Sequence, residues 1–252
     1  MTRRALRVCF VWPGGGAEHE YFEFAEATGD RVRVFLAPSR VGGAPGEDHD
    51  VSALEATARI DWILEAARRH TRLRPDVVYW ACTSGSFVRG RTHAEAQVAA
   101  IESALGVAAG STSLGFAAAL AALECRRVSV LATYPDPAAR AFESFLAEFD
   151  VEVVRLTSLG VKSGWDAAAL DRDLILRQSC SAFAVGSDAL LVPDTALPTL
   201  DVVEQIEREI GRPVLSANAV TLWHALQLGR RGLSVEGHGR LLARPPRLPV
   251  PG

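Results

Sequence analysis

Lysine is almost missing from this chain. Among 27 basic residues only Lys162 is a lysine, so a Schiff-base cofactor such as pyridoxal phosphate has a single possible anchor. Cysteine is scarce too. Cys9, Cys82, Cys125 and Cys180 form no C-x-x-C pair, which argues against a structural zinc site and a disulfide scaffold. No G-x-x-x-x-G-K-[ST] phosphate loop is present, and the turn Trp12-Pro13-Gly14-Gly15-Gly16 fails the G-x-G-x-x-G spacing of a dinucleotide site. The six histidines form no H-x-H or H-E-x-x-H pattern. A net charge of −3 implies no broad basic surface for nucleic acid. No apolar run approaches the ~18 residues of a membrane span. Arg7 interrupts the apolar stretch after Arg3 and Arg4, so the amino terminus reads as a first strand rather than a signal peptide. These absences argue against pyridoxal phosphate, dinucleotide and zinc chemistry, and predict a reducing cytoplasm with no nucleic-acid or membrane partner. A homodimer is the default expectation.

What is present is an ordinary soluble composition, 48% apolar and 23% charged over 252 residues, enough for one large or two small domains. Strand-like and helix-like runs alternate. Strands are predicted over 6–11, 31–36, 77–80, 128–132, 151–156, 189–192 and 214–216. Helices are predicted over 18–27, 52–70, 92–105, 137–149, 170–183, 200–210 and 219–228, with Ser52 and Thr199 as candidate caps. This alternation means parallel sheets with helices on both faces. The Gly/Pro/acidic stretch 41–50 reads as a mobile surface loop, and Glu47-Asp48-His49-Asp50 within it as solvated. His224 reads as a structural histidine, and Cys9, Cys125 and Cys180 as packing residues.

The chain also repeats itself. Asp76-Val77-Val78-Tyr79-Trp80-Ala81-Cys82-Thr83 lines up with Asp188-Ala189-Leu190-Leu191-Val192-Pro193-Asp194-Thr195. Arg7-Val8-Cys9-Phe10-Val11 similarly matches Arg127-Val128-Ser129-Val130-Leu131. An α/β fold of two halves follows, one of 1–110 with 217–242 and the other of 111–216, with a disordered proline-rich tail at 243–252. The alignment sets the Cys82 thiol opposite the Asp194 carboxyl group, as one site built from two related halves.

In parallel sheets, ligands bind beyond the carboxyl ends of the strands. Four loops fall there: 13–17, 82–86, 133–136 and 194–199. Cys82 opens Cys82-Thr83-Ser84-Gly85-Ser86, whose backbone N–H groups and hydroxyls could cradle a carboxylate or enolate oxygen and favour a thiolate. Asp194 follows a buried-looking strand, where desolvation and a neighbouring thiolate raise its pKa. A protonated Asp194 could then act as acid while Cys82 acts as base or nucleophile. Gly14 and Gly15 allow close backbone approach to a substrate. Thr83, Ser84, Thr133, Tyr134 and Thr195 are candidate substrate contacts, although Tyr134 reads equally well as a half-buried surface ring.

Three segments carry a family resemblance: Ala81-Cys82-Thr83-Ser84-Gly85-Ser86, Thr199-Leu200-Asp201-Val202 and the stretch Ser216-Ala217-Asn218-Ala219-Val220-Thr221-Leu222-Trp223-His224-Ala225-Leu226. The chain resembles the aspartate/glutamate racemase superfamily, in its maleate isomerase and arylmalonate decarboxylase branch. The resemblance implies two flavodoxin-like halves about a pseudo-twofold axis and cofactor-independent chemistry next to a carboxylate. It places the first catalytic position on Cys82 and the second on Asp194, where relatives usually carry cysteine. Isomerases and racemases commonly use both thiols and decarboxylases keep the second, so this chain matches neither pattern. Maleate isomerases usually have Pro-Ser-Ser-Asn where this chain has Pro13-Gly14-Gly15-Gly16, and their Thr-Pro-Tyr appears here as Thr133-Tyr134-Pro135. The resemblance thus implies an isomerase or racemase of a small carboxylate. Its rivals are a decarboxylase of a malonate-like acid, a cysteine-dependent lyase or hydrolase, and a non-enzymatic carboxylate-binding protein.

Overall fold

A computed structural model describes residues 4–243; the expected tail, apart from Ala243, lies outside the described residues. Two sheets carry the fold. The first contains β1 (Leu6–Trp12), β2 (Val32–Pro38), β3 (Val77–Trp80) and β4 (Ala108–Ser111), in the order β2-β1-β3-β4. The second contains β5 (Arg127–Ala132), β6 (Glu152–Ser158), β7 (Ala189–Val192) and β8 (Val214–Ser216), in the order β6-β5-β7-β8. Every pairing is parallel. The two sheets share one strand order, and the repeated segments occupy equivalent strands.

The helices before β5 are α1 (His19–Ala27), α2 (Val51–Thr57), α3 (Ile60–Arg68), the single turn α4 (Ser84–Phe87), α5 (Gly90–Leu105) and α6 (Thr112–Ala122). After β5 come α7 (Asp136–Ala147), α8 (Gly164–Ala168), α9 (Arg172–Ala182), α10 (Val203–Ile210) and α11 (Ala217–Leu228), and α12 (Arg240–Ala243) closes the described chain. Helix α11 crosses back to pack on β3, β4 and α6. One apolar core therefore runs through both halves, and within it the Phe142 ring packs against both Phe87 and Phe116.

The acidic residue that opens each repeat has a structural task. Asp76 Oδ2 accepts the N–H of Arg7 at 2.9 Å, and Asp188 Oδ2 accepts the N–H of Arg127 at 2.8 Å. Each carboxylate thereby ties the start of one central strand to its neighbour. The strands that follow, β3 and β7, are buried on both faces, which is why they read as continuous apolar runs rather than alternating ones.

Local expectations fail where tertiary contacts win. The helix predicted over 52–70 breaks into α2 and α3 because Arg59 turns extended (φ −66°, ψ 124°). The Ala58 carbonyl accepts instead from Gln97 Nε2 at 2.8 Å and His93 Nε2 at 3.0 Å, both on α5. Asp50, not Ser52, precedes α2. Helix α10 starts at Val203, after a turn in which the Thr199 carbonyl accepts the N–H groups of Val202 and Val203. The Thr199 hydroxyl caps nothing and is buried without a partner. Strand β4, Ala-Ala-Gly-Ser, has no β-branched residue to announce it; its pairing with β3 creates it.

Candidate active site

Cys82 lies two residues beyond β3, and Asp194 two residues beyond β7. The duplication thus delivers both to the carboxyl ends of equivalent strands, where open parallel sheets bind ligands. They line a single cavity of about 330 Å³ together with Gly14, Gly15, Ser84 and Thr195. That volume lies at the small end of the range for small-molecule pockets. Cys82 is 4% exposed and Asp194 3%.

The thiol is held closely. Cys82 Sγ accepts the Gly85 N–H at 3.3 Å and lies 3.7 Å from Ser84 Oγ. A Cβ at position 85 would come within 3.1 Å of that sulfur and 2.9 Å of the Trp80 ring, so glycine is required for the approach. Burial pushes the thiol up to about 11, against the lowering effect of the Gly85 and Ser84 bonds, and the charges of Asp194 and Asp48 push the same way. The Gly85 and Ser84 donors, expected to favour a thiolate, do not offset the loss of water.

Asp194 is held at both oxygens. Oδ1 accepts the Ala196 N–H at 2.9 Å, and Oδ2 accepts the Thr133 hydroxyl. Burial raises its pKa, opposed by His49, Thr133 and the Ala196 N–H. Thr133, expected as a substrate contact, is thus hydrogen-bonded to Asp194. Tyr134 is also displaced from its expected role: its hydroxyl donates to the Pro193 carbonyl and it is fully buried, not half-exposed. Thr83 is buried behind the wall as well. None of these three is a lining residue. Gly15 (φ +119°) belongs to a turn that L side chains rarely adopt, and a Cβ there would fall 2.9 Å from Ala196 Cβ. The glycine turn of the first half therefore packs directly on the Asp194 loop of the second.

Two ionisable lining residues, Asp48 and His49, escaped the sequence reading. The loop 41–50 is strapped to the segment that follows β6. Asp48 Oδ2 accepts the Gly164 N–H at 2.9 Å, the His49 N–H donates to the Lys162 carbonyl at 3.0 Å, and His49 Nδ1 lies 3.0 Å from the Val161 carbonyl. The His49 ring sits edge-on to Tyr134 at 4.8 Å and is 5% exposed. The expected solvated loop is thus a cavity wall. The repeat held a usable signal: 41–50 follows β2 as 159–164 follows β6.

Behind the cavity, Glu20 is buried among N–H donors. Its Oε1 accepts from Thr199 N at 2.6 Å and Leu200 N at 2.7 Å, and its Oε2 from Asn218 Nδ2 at 2.6 Å. Asn218 Nδ2 also donates to the Thr195 carbonyl at 3.2 Å, and its Oδ1 accepts from the Tyr21 hydroxyl at 2.8 Å. This network braces the Asp194–Leu200 loop against α1 and α11. His224 is half-buried and pairs with the Tyr79 hydroxyl at 3.1 Å, and desolvation holds its pKa down to about 4. Among the described residues no group of three His, Cys, Asp or Glu side chains could hold a metal, and no helix is long and apolar enough to cross a membrane.

The family model for arylmalonate decarboxylase matches residues 50–242. The chain belongs to the arylmalonate decarboxylase family. It is 32% identical over 187 residues to the arylmalonate decarboxylase of Bordetella bronchiseptica, covering 73% of this chain and 78% of that protein. It is 27% identical over 175 residues to the maleate isomerase of Nocardia farcinica, covering 67% and 69%. A crystal structure of a cysteine-to-serine mutant of the Nocardia farcinica maleate cis-trans isomerase, with a covalently bound succinylcysteine intermediate, shares the fold. Its TM-score is 0.82, at 23% identity over 95% of this chain and 98% of that one. The resemblance read from sequence thus holds for the arylmalonate decarboxylase and maleate isomerase branch, and this member of the family is an enzyme.

Proposed function

We propose that this enzyme moves a proton at the carbon beside the carboxylate of a small acid, as a racemase does, without a cofactor, with Cys82 and Asp194 as its acid/base pair. The observation that carries this reading is that a thiol and a carboxylate, from equivalent loops of the two halves, line one small cavity. Burial holds the Cys82 pKa up at about 11, which suits the thiol to the role of proton donor, and Asp194, in its ionised form, serves as the base. Asp194 takes the α-proton, the C–H electron pair moves onto the carboxylate as an enediolate, and the Cys82 S–H returns a proton from the other side. The Ser84 hydroxyl lines the same wall and can donate to the developing oxyanion.

A decarboxylase is the second reading, favoured by the family match. There the C–C bond to a second carboxylate breaks, CO2 leaves, and the Cys82 thiol protonates the same enediolate. Addition of a thiolate to a double bond is the route implied by the succinylcysteine of the Nocardia protein. In this chain the burial of Cys82 works against it.

Proton NMR in deuterated water separates these routes. The substrates are α-chiral monocarboxylates, 2-substituted malonates and maleate, each with wild type, Cys82→Ser and Asp194→Asn. Deuterium at the α-carbon without carbon loss marks racemisation, deuterium with CO2 release marks decarboxylation, and fumarate from maleate marks addition. Each substitution is expected to lower kcat by about 10²–10⁴-fold; wild-type rates in both would end the proposal.

A further inference from the structure

The cavity wall is acidic on two sides and has no fixed cation. Asp48 and Asp194 both line it, and among the described residues no arginine or lysine does. Lys162, in the adjoining segment, is exposed. A carboxylate entering this space meets two carboxyl groups and one side chain able to carry positive charge, His49.

The imidazole is oriented by its neighbours. The Val161 carbonyl can only accept, so its 3.0 Å contact fixes a proton on Nδ1. Nε2, on the opposite side of the ring, has no hydrogen-bond partner among the described residues, although the residue is buried and lines the cavity. With Nδ1–H committed, a neutral ring presents a lone pair to the cavity, which repels a carboxylate. A protonated ring presents N–H⁺, which binds one. The titratable groups facing His49 are Asp194 and Cys82 in the same wall, Asp48 beside it and the Tyr134 phenol against its ring. Of these, Asp194 feels the ring directly, since His49 opposes the rise that burial gives the Asp194 pKa.

We propose that His49 is the specificity-determining residue, receiving the substrate's carboxylate through a proton on Nε2. This rests on the small-carboxylate reading above and names the residue responsible for it. Loop 41–50 would then select the acid while also closing the wall.

Alkylation of Cys82 tests this without a known substrate. Iodoacetate and iodoacetamide both react by displacement: the sulfur forms a bond to carbon, iodide leaves, and the thiol's proton goes to solvent. They differ in charge and share one thiol, so the ratio of their rates at Cys82, read by peptide mass spectrometry, cancels the thiol's own reactivity. In wild type the iodoacetate/iodoacetamide ratio should exceed that of glutathione by about tenfold, the scale of one hydrogen bond to a charged group. His49→Asn keeps a donor near Val161 but loses Nε2, and its ratio should fall to that of glutathione. His49→Gln keeps a distal neutral donor and should fall between. If the ring mattered only as a tether to Val161, the ranking would reverse. A wild-type ratio in either variant, or that reversed ranking, overturns the assignment of His49 and leaves the carboxylate reading standing. A wild-type protein no more selective than glutathione overturns both.

Discussion

Glu20 makes the stability of this protein fall as pH rises through neutrality. Three N–H donors at 2.6–2.7 Å favour its charged form, but burial outweighs them and lifts its pKa from 4.5 to about 7. Between those values the native chain holds a proton that the unfolded chain has released. Folding is therefore favoured at low pH, and the advantage disappears as pH rises through about 7. The full gap corresponds to about 3 kcal/mol, of which about 2.5 kcal/mol is lost between pH 5 and pH 8. Glu20→Gln removes the titration. It also sets an amide against the Asn218 amide, at a cost of about 1–2 kcal/mol that does not depend on pH. The assay is urea unfolding followed by tryptophan fluorescence at pH 5, 6, 7 and 8, for wild type and Glu20→Gln. The stability of wild type relative to Glu20→Gln should fall by about 2.5 kcal/mol across that range, so that the order of the two reverses. A difference that stays flat would refute the reasoning, because burial would then not govern the carboxyl group.

Thr133→Val removes a hydroxyl donor to Asp194 at nearly constant volume; it should move the limb of the pH–rate profile set by that carboxyl group upward by about one to two pH units, measured as kcat/KM against pH. Gly85→Ala forces a methyl against Trp80 and Cys82 Sγ; stability should fall by about 1–3 kcal/mol in denaturant titration, and activity by more than that loss explains. Alkylation of Cys82 by iodoacetamide should accelerate about tenfold per pH unit from pH 8 to 10, since the thiol ionises near 11; a plateau below pH 9 would contradict the burial argument.

The parts of the fold legible in the sequence are those whose cause is local. Val77–Trp80, Ala189–Val192 and Val214–Ser216 are short apolar runs, and the structure assigns strands to those same bounds. The repeat gave the pairing of Cys82 with Asp194 because each follows an acidic residue and a strand by a fixed count. What stayed hidden depends on distant partners. Strand β4 needs β3, the break at Arg59 needs Gln97 and His93, and His49 needs the carbonyls of Val161 and Lys162 to draw it out of solvent. The loop of Thr133 and Tyr134 was legible, but not the partners of their hydroxyls, Asp194 and the Pro193 carbonyl, because those partners come from a distant segment.

Helix α11 comes from the far end of the chain yet covers β3 and β4 of the first sheet. A ribosome that has released residues 1–110 has therefore made four strands with one apolar surface still bare, and that surface waits for residues 217–228 to emerge. The first half cannot mature ahead of the second during synthesis. Dividing the gene between β4 and β5 would yield two fragments, each lacking a piece of the other.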